Sequence, residues 1–201
     1  QRALDWVRAR NDEARAVLEK HPRFDAMCTR ILEILDSREK IPYVSRRGDA
    51  LYNFWQDAAN PRGLWRRTTL EQYRKAQPAW ETVLDLDALG AAEKENWVWK
   101  GATCLGPAYR RCVLSLSRGG ADATVQREFD AQAKRFVEAK DGGFTLPEAK
   151  GSVDWIDDNT LYVSTDFGPG SMTDSGYPRI VKRWQRGTPL SAALTVFEAE
   201  A

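Results

Sequence analysis

The sequence contains one histidine, His21, and three cysteines among its 201 residues. A Ser-His-Asp triad needs a histidine base beside a nucleophilic serine, and the GxSxG serine elbow is absent from this chain. The nearest string, Gly168–Met172 (GPGSM), has the wrong spacing. We therefore expect no catalytic residue in this chain, and we assign His21, beside Pro22, to a turn or helix cap.

The cysteines are odd in number and form no CxxC motif. We expect reduced thiols rather than a disulfide framework, which favours the cytoplasm over the alternative of the periplasm. Asp154, Asp157 and Asp158 cluster, and Asp85 and Asp87 alternate along a predicted strand, but neither group has the ligand order of a calcium loop. We therefore expect neither a metal nor a cofactor. The residues concerned are Cys28, Cys104, Cys112, Asp85, Asp87, Asp154, Asp157 and Asp158.

Long apolar runs and an excess of charge of one sign are also missing. No apolar run approaches the ~18 residues of a membrane span. Thirty basic and 29 acidic residues give a net charge of +1, whereas nucleic-acid binders usually carry a basic excess. We expect neither a membrane nor a nucleic acid as a partner. The chain starts at Gln1 and an apolar strand nearly reaches its last residue, so we expect a segment of a longer protein.

The first forty residues have a helical pattern. Apolar residues recur from Phe24 to Leu35 at intervals of three and four, which predicts one face of an amphipathic helix. Pro22 suits the start of this helix. A weaker stripe predicts an earlier helix over about Leu4–Lys20. Nothing in these helices predicts chemistry, so we interpret them as docking elements.

From Ile41 the apolar period changes to two, and three stretches each predict four short strands: 41–87, 95–137 and 152–197. Their opening strands centre near Val44, Val98 and Val153, 54 and 55 residues apart. Four strands at such a period indicate a β-propeller blade, and closed propellers have about four to eight blades. The predicted fold is mainly β, a partial β-propeller of about three antiparallel blades preceded by a helical arm.

Details of the strand pattern add three expectations. We expect a hairpin turn at Asn60–Gly63, because it combines Pro and Gly. Most tryptophans and tyrosines fall on strands and should pack between blades. The segment Asp166–Pro178 is too long for a tight hairpin. Long loops of this kind often carry function, and a purely structural role is the alternative.

Several segments resemble the prolyl oligopeptidase family of serine peptidases, and its bacterial prolyl oligopeptidase-like branch in particular. The similarity covers almost the whole chain. The segments that carry it follow one another in order: Trp80–Leu89 (WETVLDLDAL), Arg127–Asp130 (REFD), Gly143–Ser171 and Ser175–Trp184. The resemblance implies a seven-bladed propeller that caps an α/β-hydrolase domain. Residues 1–40 would be an arm that packs on the hydrolase domain, and residues 41–201 would be the first three blades.

The resemblance also implies a function. The propeller would restrict a serine peptidase to short peptides, while the hydrolase domain and the remaining blades would lie beyond this chain, which would be inactive alone. The loop Asp166–Pro178 of the third blade corresponds in position to a family loop that is implicated in gating. Its candidate residues are Asp166, Phe167, Gly168, Pro169, Gly170, Ser171 and Asp174. Near Arg127, some relatives place an apolar pocket-lining residue, so a charge there implies a different peptide preference.

The sequence also leaves an alternative. The chain would then be a self-sufficient β-rich module that binds peptides or glycans, or mediates an interaction, with exposed aromatic side chains such as Trp55 and Trp99. In either case, unclosed blades would expose apolar faces and edge strands. We therefore expect the isolated chain to self-associate.

Overall fold

The computed structural model describes residues 1–37 and 39–200. The chain divides into two compact units. One contains Gln1–Ile41 with Gln56–Ala59, and the other contains Pro42–Trp55 with the residues from Asn60 onward. The first unit holds two helices, α1 (Arg2–Leu18) and α2 (Phe24–Asp36). The second unit holds most of three antiparallel sheets.

Helix α2 confirms the predicted periodicity. Its apolar side chains are each more than half exposed: Met27, Ile31, Leu32, Ile34 and Leu35. His21 lies in the turn before α2, where its Nδ1 accepts a hydrogen bond from the Arg23 amide at 3.2 Å. This confirms a turn or cap role for the histidine. No helix in the described part of the chain is long and apolar enough to cross a membrane.

The first blade contains four strands in chain order: β1 (Ser45–Arg47), β2 (Ala50–Asp57), β3 (Asn60–Thr69) and β4 (Glu81–Asp85). The prediction of a turn at Asn60–Gly63 was wrong, because the strand already begins at Asn60. Strand β4 pairs with β3 only from Leu64 onward. Before that point, the Asp87 carboxylate accepts hydrogen bonds from the Arg62 and Gly63 amides, and proline is tolerated at such an edge.

Two short helices accompany this blade: α3 (Leu70–Tyr73) lies between β3 and β4, and α4 (Leu86–Glu93) follows β4. The prediction that Asp87 lies on a strand was therefore wrong. The Asp85 carboxylate caps α4 by accepting a hydrogen bond from the Ala88 amide at 2.9 Å, as is usual for an N-cap aspartate. Asp87 consequently lies on a helix and does not alternate with Asp85 along a strand.

The second blade contains the four predicted strands and one more. The four are β5 (Trp97–Cys104), β6 (Arg111–Arg118), β7 (Thr124–Asp130) and β8 (Arg135–Phe136). The fifth, β9 (Thr145–Ala149), also pairs with β7. Its pattern gave little signal, because it contains Pro147 and only Leu146 is buried.

The third blade follows the prediction closely. Its strands are β10 (Ser152–Asp157), β11 (Thr160–Ser164), β12 (Ile180–Gln185) and β13 (Leu194–Glu198). They pair in chain order. Strand β13 is exposed along its whole length, and Phe197 is 60% exposed. The outer edge of this blade is therefore apolar and uncovered.

Aromatic side chains fill both gaps between blades, as predicted. Between the first and second blades, the Trp65 and Trp99 ring centroids are 5.3 Å apart. Phe54 stacks on the other side of Trp99 at 5.3 Å. Between the second and third blades, Phe144 contacts Trp184 edge to face at 4.9 Å. Aromatic burial of this kind is a main source of stability in packed sheets.

A buried carboxylate also joins the second and third blades. Glu128 on β7 is fully buried, and both of its oxygens contact the Arg186 guanidinium, at 2.7 and 3.0 Å. It also accepts hydrogen bonds from Arg111 at 2.8 Å and from the Phe144 amide at 2.9 Å. Arg186 follows β12 in the third blade, so this network fixes one blade against the next.

Candidate functional site

The loop between β11 and β12, Asp166–Pro178, is called the gating loop below, after the role that the family resemblance implies for it. Ser164, at the end of β11, pairs with Ser152 at the start of β10, so the loop lies at the end of the third blade where β10 begins. The first strands of the three blades, β1, β5 and β10, run in the same direction, because the turns that follow them lie together. Gly48, in the turn after β1, lies beside Pro107, in the turn after β5, and Arg111, at the start of β6, pairs with Asp158, in the turn after β10.

This direction fixes which blade end carries the loop. The gating loop lies at the same end as residues 42–44, through which the chain enters β1. The helix α4, which connects the first and second blades, lies at that end too. The gating loop, residues 42–44 and helix α4 therefore lie at the same end of the blades.

The first half of the gating loop is a turn built around Ser171. Only 3% of this serine is exposed. Its hydroxyl accepts a hydrogen bond from the Phe167 amide (2.9 Å) and donates one to the Gly168 carbonyl (2.7 Å). The Asp166 carboxylate accepts from the Gly168 amide at 2.8 Å. Because its hydroxyl is held inside the turn, Ser171 has the surroundings of a structural residue and not those of an activated nucleophile.

Glycines shape this turn and proline stiffens it. Gly168 and Gly170 adopt φ angles of +103° and +79°, a region that side chains with a Cβ rarely adopt. Pro169 lies between them and restricts its own φ. The predicted residues from Asp166 to Ser171 thus come together in one turn, as the Gly-Pro-Gly pattern suggests.

The second half of the loop is a separate turn, Thr173–Tyr177. The Thr173 amide donates to the Tyr177 carbonyl at 2.8 Å, and the Tyr177 amide donates to the Thr173 hydroxyl at 3.1 Å. Gly176 has a φ of +75°. Asp174 lies on this turn and is exposed. It is the one predicted loop residue that belongs to this second turn.

Arg127 lies on β7 of the second blade, and its side chain contacts helix α4. Its side chain is 19% exposed. Its Nη1 contacts both carboxylate oxygens of Glu93, at 2.8 and 3.0 Å, and its guanidinium lies 3.8 Å from the Phe136 ring centroid. Glu93 also accepts a hydrogen bond from Trp97 Nε1 at 2.7 Å. The charge of Arg127 is therefore balanced by Glu93.

The structure changes the expectation about the cysteines. Cys104 and Cys112 face each other across β5 and β6 and form a disulfide, so the expectation of three reduced thiols was wrong. Sequence spacing could not reveal this pair, because strand register decides which residues face each other. Cys28 is free and exposed.

The clustered aspartates lie in hydrogen-bonded turns. Asp157 accepts from the Asn159 amide at 2.8 Å, which is an ordinary turn contact. Asp158 forms an ion pair with Arg111 Nε at 3.1 Å. Within residues 1–37 and 39–200, no group of three or more His, Cys, Asp or Glu side chains could hold a metal ion.

Three unclosed blades with a structured loop at the blade end where the chain enters define a propeller-type domain. The family model for the prolyl oligopeptidase N-terminal β-propeller domain matches residues 1–201. The chain therefore belongs to the prolyl oligopeptidase family and represents its N-terminal propeller portion.

Relatives agree with this assignment. An uncharacterized peptidase of Sinorhizobium fredii is 43% identical over 99% of this chain, which covers 27% of that protein. An uncharacterized peptidase of Rickettsia prowazekii is 29% identical over 98% of the chain and 28% of that protein. The structure of a post-proline cleaving enzyme from Rickettsia typhi has a TM-score of 0.85 and 31% identity, with 98% of this chain and 29% of that chain covered.

A more distant structure, oligopeptidase B from Leishmania major, has a TM-score of 0.60 at 11% identity, over 90% of this chain and 27% of that chain. At this identity the likeness shows the fold alone. The chain thus spans a little more than a quarter of the length of these relatives.

Proposed function

We propose that this chain is the N-terminal propeller segment of a prolyl oligopeptidase-like serine peptidase, and that it limits access of short peptides to a hydrolase domain beyond this chain. One observation supports this above the others: the gating loop lies at the blade end where residues 42–44 enter the propeller. A domain joined to the residues before β1 would meet the propeller at this end. The peptidase names of relatives about four times longer support the same proposal.

The helices have a role in this proposal. Residues 1–40 would form the arm that packs on the hydrolase domain. The apolar side chains of α2 support this, since Met27, Ile31 and Leu35 are all more than half exposed. Exposed apolar stripes of this kind usually mark an interaction surface.

Substrate choice is part of the same proposal. Arg127 as a pocket-lining residue stays a prediction. Direct contact with a peptide would require Arg127 to share or leave the Glu93 carboxylate. We expect such a residue to favour acidic or carbonyl-rich peptide groups over an apolar proline ring.

The alternative of a self-sufficient peptide- or glycan-binding module has less support. Trp99 is stacked on Phe54, and Trp55, which is 9% exposed, lies 4.3 Å from the Arg66 guanidinium. Both rings are therefore occupied by packing. A stacking site for a sugar or a peptide needs an accessible ring face.

The compartment also remains part of the proposal. Cysteine usage predicted the cytoplasm, but the Cys104–Cys112 disulfide is typical of oxidising compartments. It favours the periplasm, which was the alternative. Alkylation of the thiols in intact cells, before and after reduction, distinguishes the two compartments.

An active-site serine probe tests the central proposal. A fluorophosphonate should label the longer gene product and leave the 201-residue chain unlabelled, because this chain has one histidine, which lies in a turn. Replacing the Thr173–Tyr177 turn by two glycines in the longer protein should raise cleavage of long peptides relative to short ones. Labelling of the 201-residue chain, or an unchanged length preference, would contradict the proposal.

A further inference from the structure

Lys150, in the connection between the second and third blades, contacts the gating loop. We propose that Lys150 is a positioning residue that holds the Thr173–Tyr177 turn through the Tyr177 ring, an inference that rests on the proposed gating function. Lys150 lies between β9 and β10. Its Nζ is 4.0 Å from the Tyr177 ring centroid.

A second partner of Lys150 is weaker. Its Nζ lies 3.8 Å from the Asp122 carboxylate, on the loop between β6 and β7. The Asp122 side chain is 70% exposed and that of Lys150 is 29% exposed. Exposed ion pairs at this distance contribute little, whereas a partly desolvated ammonium over an aromatic face contributes more. The ring contact is therefore the stronger of the two.

The space beside the loop indicates why this contact matters. An open surface pocket of about 430 Å³ lies beside Lys150, and its wall includes Ser152, Ser164, Tyr177 and Pro178. The Tyr177 side of the second turn therefore borders open space. Because packing leaves room there, the turn has space to shift once the Lys150–Tyr177 contact is lost.

The first turn of the loop is held differently. The Lys182 ammonium lies 4.4 Å from the Phe167 ring centroid, and Lys182 belongs to β12 of the same blade. Arg179 Nε also donates to the Gly170 carbonyl at 2.8 Å. The two turns therefore have separate anchors, and the Lys150 contact ties the second turn to the connection between two blades.

Hydrogen–deuterium exchange of the 201-residue chain tests the role of Lys150. K150Q and Y177L should each increase exchange of the Thr173–Tyr177 amides about 2- to 5-fold, the range that a partly exposed cation–π contact allows. K150R and Y177F keep a cation and a ring, so both should exchange like wild type. K140Q, at an exposed lysine, is the matched control and should also be unchanged.

The outcomes separate this inference from the proposed function. Unchanged exchange in K150Q, or an increase spread over the whole third blade, would overturn the positioning role. The longer protein provides the other readout, the ratio of kcat/KM for long and short peptides. If K150Q frees the turn without changing that ratio, the positioning role is supported while gating by this loop is refuted.

Discussion

The hydrogen bonds and ion pairs of Glu128 allow us to predict how much stability the protein loses when this residue is replaced. Replacing Glu128 by Ala removes a fully buried carboxylate that contacts Arg186, Arg111 and the Phe144 amide. The Arg186 side chain, only 16% exposed, would keep its charge without its carboxylate. Removal of one partner of a buried pair costs about 3–5 kcal/mol. Such a loss is a large part of the roughly 5–15 kcal/mol by which domains are stable.

Urea unfolding followed by tryptophan fluorescence measures this loss, since the chain has eight tryptophans. E148A is a matched control. Glu148 also pairs with an arginine, Arg118, but its side chain is 37% exposed, so its removal should cost below about 1 kcal/mol. The double variant E128M/R186M should lose less than the two single variants together, because it removes the buried charge of Arg186 together with that of Glu128, while Arg111 keeps its ion pair with Asp158. If E128A costs no more than E148A, the network does not hold the blades together.

Two further predictions concern pH and association. Hydrogen bonds from Arg67, and then from Lys134, lower the pKa of Glu81 from 4.5 to about 2. The stability that ionised Glu81 adds is therefore present above about pH 4.5 and lost as the pH falls towards 2. The difference between wild type and E81Q in urea midpoint should shrink over that range, and a constant difference would contradict the pKa assignment. The isolated chain should form dimers or larger species in light scattering, because α2 and β13 expose apolar side chains. A stable monomer at all concentrations would contradict this.

Local pattern predicted the elements with strong signals and missed the weak ones. The periodicity of α2 and the alternation of β10–β13 follow from which positions are apolar, and both were correct. Helix α4 was missed because its residues extend the apolar pattern of β4. The Asp85 cap was the available signal, since an aspartate followed by helix formers favours a helix start. Strand β9 was missed because Pro147 and polar neighbours weaken its pattern.

In the candidate site, too, some features could be predicted from the sequence and others could not. The long loop between two strands of the third blade was predicted, and its glycines permit the positive φ angles that the first turn uses. The partners of Lys150, Arg127 and Glu128 were not predictable. Each lies 27 or more residues from its contact in sequence, at Tyr177, Glu93 and Arg186, and periodicity within a strand carries no information about a neighbouring blade.

The sequence by itself determined the class of fold, the order of helices and blades, and the family resemblance, because these depend on local periodicity and on ordered segments. The tertiary structure alone decided three things: that Cys104 faces Cys112, that Glu128 bridges two blades, and that Lys150 contacts the loop. The physical reason is strand register. A shift of one residue turns each side chain to the opposite face, so the contacts between blades exist only once the sheets have paired and packed.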